Sequence, residues 1–163
     1  MAGGTIRVEE TIPNFLFHHV GHLVKNLSAE ADNLVARLGY VIESDVIEDP
    51  VQTAFVQFLR QPGTHSWIEL VTPNGPSSKL TNALVKGGGL HHLCYEVSDI
   101  HLAGEHLRNQ AMLLLAEPVP AAAFLGRRIA WFMDRSRFLV ELLESGEGPL
   151  SLTSIMADKR RRL

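Results

Sequence analysis

The sequence repeats itself once, and this repeat restricts the fold more than any other feature. The segment HHVGHLVKNL, which begins at His18, aligns with HHLCYEVSDI, which begins at His91. Further along the chain, SWIELVTP aligns with FLVELLES at the same offset to within one residue. A repeat with a period of about 73 residues indicates that one structural unit is built twice.

Each copy of the repeat has the pattern of a strand, a helix and three further strands. In the first copy an apolar, β-prone segment at 15–24 precedes apolar residues at helical spacing, which Ser28 is expected to cap and Gly39 to end. In the second copy Ser98 or Asp99 is expected to cap a helix that runs to about Ala111. Three strand-like segments follow each helix.

The sequence therefore predicts an α+β fold of two βαβββ modules. The first module, with a linker helix near 78–86, is expected at 15–86, and the second module at 90–145. Residues 1–14 and 146–163 are expected to be loose termini, since they are rich in Gly, Ser and polar residues.

Composition narrows the class of protein. The 163 residues carry a formal net charge of −3 and have no long basic segment, which argues against a nucleic-acid partner. Cys94 is the only cysteine, so no internal disulfide can form. The first residues lack the apolar core of a signal peptide, and no segment is long enough to span a bilayer. We therefore expect a cytoplasmic protein with no membrane partner.

Both copies of the repeat place a histidine on the first strand and a glutamate on the last. Because side chains alternate along a strand, the apolar neighbours of Glu69 and Glu141 predict that both carboxylates face away from the helices. The same argument places His19 and His92 on that face. It places His18 and His91 on the reverse face as packing or hydrogen-bonding residues, with His18 covered by the first helix.

A set of two imidazoles and two carboxylates is a mixed nitrogen and oxygen site for a divalent cation. Such a set suits Zn²⁺, Ni²⁺, Co²⁺, Mn²⁺ or Fe²⁺. The sequence predicts one ion, held by His19, Glu69, His92 and Glu141.

The chain resembles the vicinal oxygen chelate superfamily, also called the glyoxalase/bleomycin-resistance/dioxygenase superfamily. The segments that carry this resemblance are HHVGHLVKNL, WIELVTP, GGGLHHLCYEVSDI, RRIAWFMD and FLVELLE. The resemblance covers about residues 15–144 and is greatest to methylmalonyl-CoA epimerase-like proteins. Members of this superfamily hold one metal between two βαβββ modules, with ligands on the first and last strand of each. The resemblance therefore implies that the two modules form curved mixed sheets around a central metal-binding cavity. Matched residue by residue, the resemblance selects the same four side chains as the strand alternation.

The resemblance implies a metal-dependent isomerase or epimerase that abstracts a proton next to a metal-chelated carbonyl. Some epimerases of the group carry a glutamate base on the third strand, where this chain has Thr53, so Glu141 or His65 would have to take the proton. The alternatives are a glyoxalase I-like lyase, an iron extradiol-type oxygenase, and a metal-free small-molecule binding or resistance protein. The expected partners are a small-molecule substrate, such as an acyl-CoA or another carbonyl compound, and a second copy of the chain in a homodimer.

Overall fold

The structure is a computed structural model that describes residues 12–152. The strands are β1 (Leu16–Leu23), β2 (Val41–Ile42), β3 (Ile47–Asp49), β4 (Ala54–Arg60), β5 (Trp67–Pro73), β6 (Gly89–Val97), β7 (Leu113–Pro120), β8 (Arg128–Met133) and β9 (Leu139–Glu144). The helices are α1 (Leu27–Leu38), α2 (Thr81–Val85) and α3 (Ile100–Asn109), with a 3₁₀ turn at Ala122–Phe124.

One mixed sheet contains all of these strands, and its order reflects the repeat. The order is β2-β4-β5-β1-β6-β9-β8-β7, with β3 paired to another stretch of β4. In each half the first strand pairs in parallel with the last, β1 with β5 and β6 with β9. The two first strands then pair with each other in antiparallel fashion at the centre of the sheet. This arrangement confirms the α+β fold of repeated strand–helix–strand units.

The two faces of the sheet have different coverings. Helix α1 packs with Leu59 and Leu70 on one face, and α3 packs with Phe132 and Leu142 on the same face. The opposite face carries a separate apolar cluster that includes Phe58 and neither of these helices. The predicted alternation along β5 and β9 is therefore confirmed, because their helix-facing residues are the apolar neighbours of the two glutamates.

The helix boundaries agree with the sequence except at the start of α1. Asn26, not Ser28, caps α1: its backbone is extended and its side-chain oxygen accepts a hydrogen bond from the amide of Ala29 at 3.0 Å. The expectation of a Ser28 cap was wrong because Asn and Ser are both good capping residues and only the backbone conformation separates them. Asp99 caps α3, and Gly39 ends α1 in the left-handed conformation, as predicted.

The strand in which Thr53 was expected begins later than predicted, at Ala54. Residues 51–53 form a turn before β4, in which the carboxylate of Asp49 accepts hydrogen bonds from the amides of Val51 and Gln52 at 3.0 and 2.9 Å. Thr53 has a φ of 57°, so it lies in this turn and not within the strand where it was expected.

The end of the described chain also differs from the expectation of a loose tail after residue 145. Leu150, Ser151 and Leu152 are buried, and both leucines belong to the apolar cluster on the face without helices. Residues 1–11 and 153–163, which complete the predicted loose termini, lie outside the described residues. Within residues 12–152, no helix has the length and apolarity needed to cross a membrane.

Candidate metal centre

The four predicted ligand residues meet at the centre of the sheet, on the face without helices. His19 and Glu69 come from β1 and β5, and His92 and Glu141 come from β6 and β9. The parallel pairing in each half and the antiparallel β1–β6 pair bring these strands side by side. All four side chains are at least 91% buried. Among the residues that the structure describes, they form one of two groups with possible ligand atoms close together.

The spacing of the four side chains fits one metal ion. The Nε2 atoms of His19 and His92 lie 3.0 Å apart, and the distances from either Nε2 to Oε2 of Glu69 or Glu141 are 3.2–3.4 Å. Atoms about 2.1 Å from one ion lie about 3.0 Å apart at right angles and about 3.4 Å apart at the tetrahedral angle. Oε2 of Glu141 is also buried without a hydrogen bond of acceptable geometry. An acceptor in this position is suited to a cation.

The electrostatics of the cluster favour charge on all four groups. Burial alone would raise the pKa of Glu69 and Glu141, but the adjacent His19 and His92 hold both pKa values below their usual range. Burial opposes charge on His92, but its contacts with the two carboxylates outweigh this effect and raise its pKa to about 9. The pKa of His19 is raised in the same way. The two anions thus attract positive charge, which protons or a metal ion can supply.

The predicted orientation of His18 and His91 was wrong. In the pairing of β1 with β6, the register shifts by one residue at His18 on β1 and again at His91 on β6, so each is the extra residue of a β-bulge. His18 therefore packs against Trp67 and Phe124 on the ligand face, and not under α1. His91 lies beside His92 at the same cavity. Simple alternation fails at these two positions because a bulge turns successive side chains to one side.

Gly21 is a necessary part of the site that the sequence did not single out. It is paired with Glu69 on one side and with His92 on the other. A Cβ atom at this position would lie 2.0 Å from Cε1 and 2.6 Å from Nε2 of His92. The His92 ring reaches the other ligands only because the backbone at this position carries no side chain. The available signal was a glycine inside a strand, which often marks a close approach.

A cavity of about 570 Å³ opens beside the cluster, and three of the four candidate ligand residues, Glu69, His92 and Glu141, line it. Its walls are mostly apolar, with Val56, Val71 and Trp131 among them, and Lys79 provides an ammonium group at 3.1 Å from the carbonyl of Val51. A volume of this size accommodates a small organic molecule. Glu69 and Glu141 line the cavity, so a molecule inside it can reach both carboxylates.

Thr53, at the position where some epimerases of the group carry a glutamate base, and His65, the alternative proton acceptor, are not among the residues that line this cavity. The side chain of Thr53 contacts the carbonyl of Gln52 and the amide of Lys79, and His65 is exposed in the loop before β5. Asp49 is the one other carboxylate among the described residues that line the cavity, and it accepts hydrogen bonds from three backbone amides. Of the three carboxylates within residues 12–152 that line the cavity, those of Glu69 and Glu141 contact the two imidazoles, whereas that of Asp49 is held by backbone amides.

Known proteins share both the sequence pattern and this architecture. Residues 18–131 match the family model described as Glyoxalase/Bleomycin resistance protein/Dioxygenase superfamily. The chain belongs to this superfamily. Among its relatives, an ethylmalonyl-CoA/methylmalonyl-CoA epimerase of Cereibacter sphaeroides is 32% identical over 129 residues, which cover 77% of this chain and 94% of the relative.

Two further proteins similar to this chain are methylmalonyl-CoA epimerases. The mitochondrial methylmalonyl-CoA epimerase of Dictyostelium discoideum is 32% identical over 133 residues, covering 78% of this chain and 76% of its own. The crystal structure of methylmalonyl-CoA epimerase from Mycobacterium tuberculosis superposes with a TM-score of 0.74 at 25% identity, covering 87% of this chain and 95% of the other. The curved sheet of the vicinal oxygen chelate fold is therefore common to these proteins and to this chain.

Proposed function

We propose that this protein is a metal-dependent epimerase or isomerase that moves a proton at the carbon next to a carbonyl, with an acyl-CoA such as methylmalonyl-CoA as substrate. The observation that carries the proposal is the convergence of two imidazole nitrogens and two carboxylate oxygens beside an apolar cavity that Glu69, His92 and Glu141 line. The epimerase relatives supply the acyl-CoA substrate class.

In the proposed site, His19, Glu69, His92 and Glu141 hold one divalent ion. When bound, such an ion supplies Lewis-acid polarisation of a carbonyl oxygen, which makes the neighbouring C–H more acidic. The apolar walls exclude water around the acyl group, which strengthens every electrostatic interaction at the reacting carbon.

We assign the proton transfer to Glu141. Its carboxylate borders the cavity, and the adjacent His19 and His92 keep it ionised by holding its pKa below the usual range. Asp49 is less suited to this role, because backbone amides already occupy its oxygens. Lys79 at the cavity wall can contact an anionic group of the substrate.

The test measures metal binding and proton exchange separately. Purified protein loaded with Zn²⁺, Co²⁺ or Mn²⁺ should hold about one ion per chain by elemental analysis. In deuterated water it should exchange the α-proton of methylmalonyl-CoA, followed by proton NMR. Glu141→Gln should reduce exchange by at least about 100-fold, through lost charge at the metal and loss of the proposed base. Glu144→Gln, on the same strand but outside the cavity lining, is the matched control and should retain activity.

The other activities considered for this sequence correspond to different outcomes. Turnover of a hemithioacetal without α-proton exchange of acyl-CoA would indicate a glyoxalase I-like lyase. Oxygen consumption with a catechol and Fe²⁺ would indicate an extradiol-type oxygenase. Tight binding of an apolar molecule with no metal and no exchange would indicate a binding or resistance protein, and the proposal would be wrong.

A further inference from the structure

Four histidine rings form a continuous row through the candidate metal centre. Nδ1 of His18 lies 2.8 Å from Nδ1 of His19, Nε2 of His19 lies 3.0 Å from Nε2 of His92, and Nδ1 of His92 lies 2.9 Å from Nδ1 of His91. We propose that the outer two histidines, His18 and His91, are positioning residues that fix the tautomer and ring orientation of the two metal ligands through these Nδ1–Nδ1 hydrogen bonds. This inference rests on the proposed metal site.

In the first half of the sheet, a backbone carbonyl determines which nitrogens carry protons. Nε2 of His18 lies 2.8 Å from the carbonyl oxygen of Leu150, which can only accept, so this Nε2 must donate. Because Nε2 carries the proton, a neutral His18 has its lone pair at Nδ1. Nδ1 of His19 must therefore be the donor to His18. This leaves the lone pair of a neutral His19 at Nε2, the atom that faces Glu69 and Glu141.

The surroundings of His18 hold its ring in one orientation. The side chain is fully buried and stacks on Trp67, with ring centroids 4.6 Å apart and an interplanar angle of 30°. Phe124 contacts the ring from another side. Both nitrogens of His18 are engaged, so it does not act as a ligand itself, although its nitrogen lies near those of His19 and the thiol of Cys94. Metal-binding histidines are commonly oriented by such an outer partner.

His91 takes the corresponding place in the second half, and there the row ends at the cavity. Nδ1 of His91 faces Nδ1 of His92, so a metal-ligating Nε2 on His92 requires His91 to accept at Nδ1 and to carry its own proton at Nε2. Among the described residues, no carbonyl contacts Nε2 of His91. Its ring borders the cavity and packs edge-on to Trp131. The orientation of His19 is therefore set by the protein more firmly than that of His92.

The β-bulges explain why both pairs have this geometry. Each bulge falls on the first histidine of a pair, His18 in β1 and His91 in β6. In a regular strand the two rings would point to opposite faces and could not share a hydrogen bond. The repeat has thus produced the same supporting contact twice, once for each imidazole ligand.

The test compares two substitutions at His18. His18→Phe keeps a ring on Trp67 but removes both nitrogens, whereas His18→Asn keeps an acceptor at the position of Nδ1. We expect His18→Phe to weaken Zn²⁺ binding by about 10- to 100-fold, the usual effect of losing an outer partner, and His18→Asn to recover most of the affinity. Arg127 also donates to the carbonyl of Leu150, at 2.9 Å, so that carbonyl keeps a partner in both variants. His22→Phe, on the same strand, is the control and should bind Zn²⁺ as the wild type does.

A second measurement reads the tautomers directly. Nitrogen-15 NMR of the Zn²⁺-loaded full-length protein should show a proton on Nε2 of His18 and on Nδ1 of His19. Co²⁺ absorption spectra of the His18→Phe variant should show an altered ligand field, which a change in stability alone would not produce. Wild-type protein that binds no metal would remove the proposed site and this inference together. Wild-type protein that binds metal, with equal affinity in His18→Phe or with the proton of His18 on Nδ1, would refute the positioning role only.

Discussion

Gly21→Ala provides the sharpest test of the candidate site, because it changes one atom at a position that is not a ligand. The added Cβ would lie 2.0 Å from Cε1 of His92, where ordinary contacts begin at 3.4 Å, so the ring must move by more than 1 Å. A metal–nitrogen bond is only about 2.0–2.1 Å long, so such a shift removes His92 from the ion. We expect metal affinity to fall by at least about 100-fold, which is about 2.8 kcal/mol.

The assay pairs isothermal titration with Zn²⁺ and thermal unfolding of the metal-free protein. Overpacking should lower the free energy of unfolding by about 1–3 kcal/mol, so the variant should still fold at room temperature. Gly75→Ala is the matched control, since a Cβ there meets no atom within 4 Å. If Gly21→Ala bound Zn²⁺ as tightly as the wild type, His92 would not be a ligand in the proposed arrangement.

Three further results should follow from the structure. The pKa of His92 in the metal-free protein is raised to about 9, so metal binding at pH 7.5 should release at least one proton, and metal affinity should rise with pH up to about 9. Calorimetric titration in buffers of different ionisation enthalpy measures the number of protons released. A value of zero would contradict the prediction. The same raised pKa stabilises the metal-free fold fully below pH 6.5, and this contribution should be lost as the pH rises to about 9. Asp49→Ala removes the acceptor of three backbone amides and should lower the free energy of unfolding by about 1–3 kcal/mol, whereas Asp49→Asn should lower it less. Thermal unfolding measures both variants. An unchanged melting temperature for the alanine variant would count against this role.

The sequence was sufficient for the features that depend on local periodicity. The repeat predicted the α+β fold, and alternation in IEL and VEL predicted that Glu69 and Glu141 face away from the helices. Both inferences succeed because a regular strand alternates its side chains whatever its neighbours are. The cap of α1 was missed by two residues, since Asn26 and Ser28 have similar capping ability and the choice depends on how the chain leaves β1.

The tertiary structure alone decided what surrounds the four candidate ligand residues. A β-bulge is a property of two paired strands. The sequence HH does not predict that the β1–β6 register shifts by one residue at His18 and again at His91. The carbonyl of Leu150 is 132 residues from His18, and Gly21 is critical only because the ring of His92 crosses it from the neighbouring strand. The sequence by itself determined which side chains face the cavity from regular strands. Their close approach and their supporting contacts depend on strand pairing and chain-end packing, which are long-range interactions without a local pattern.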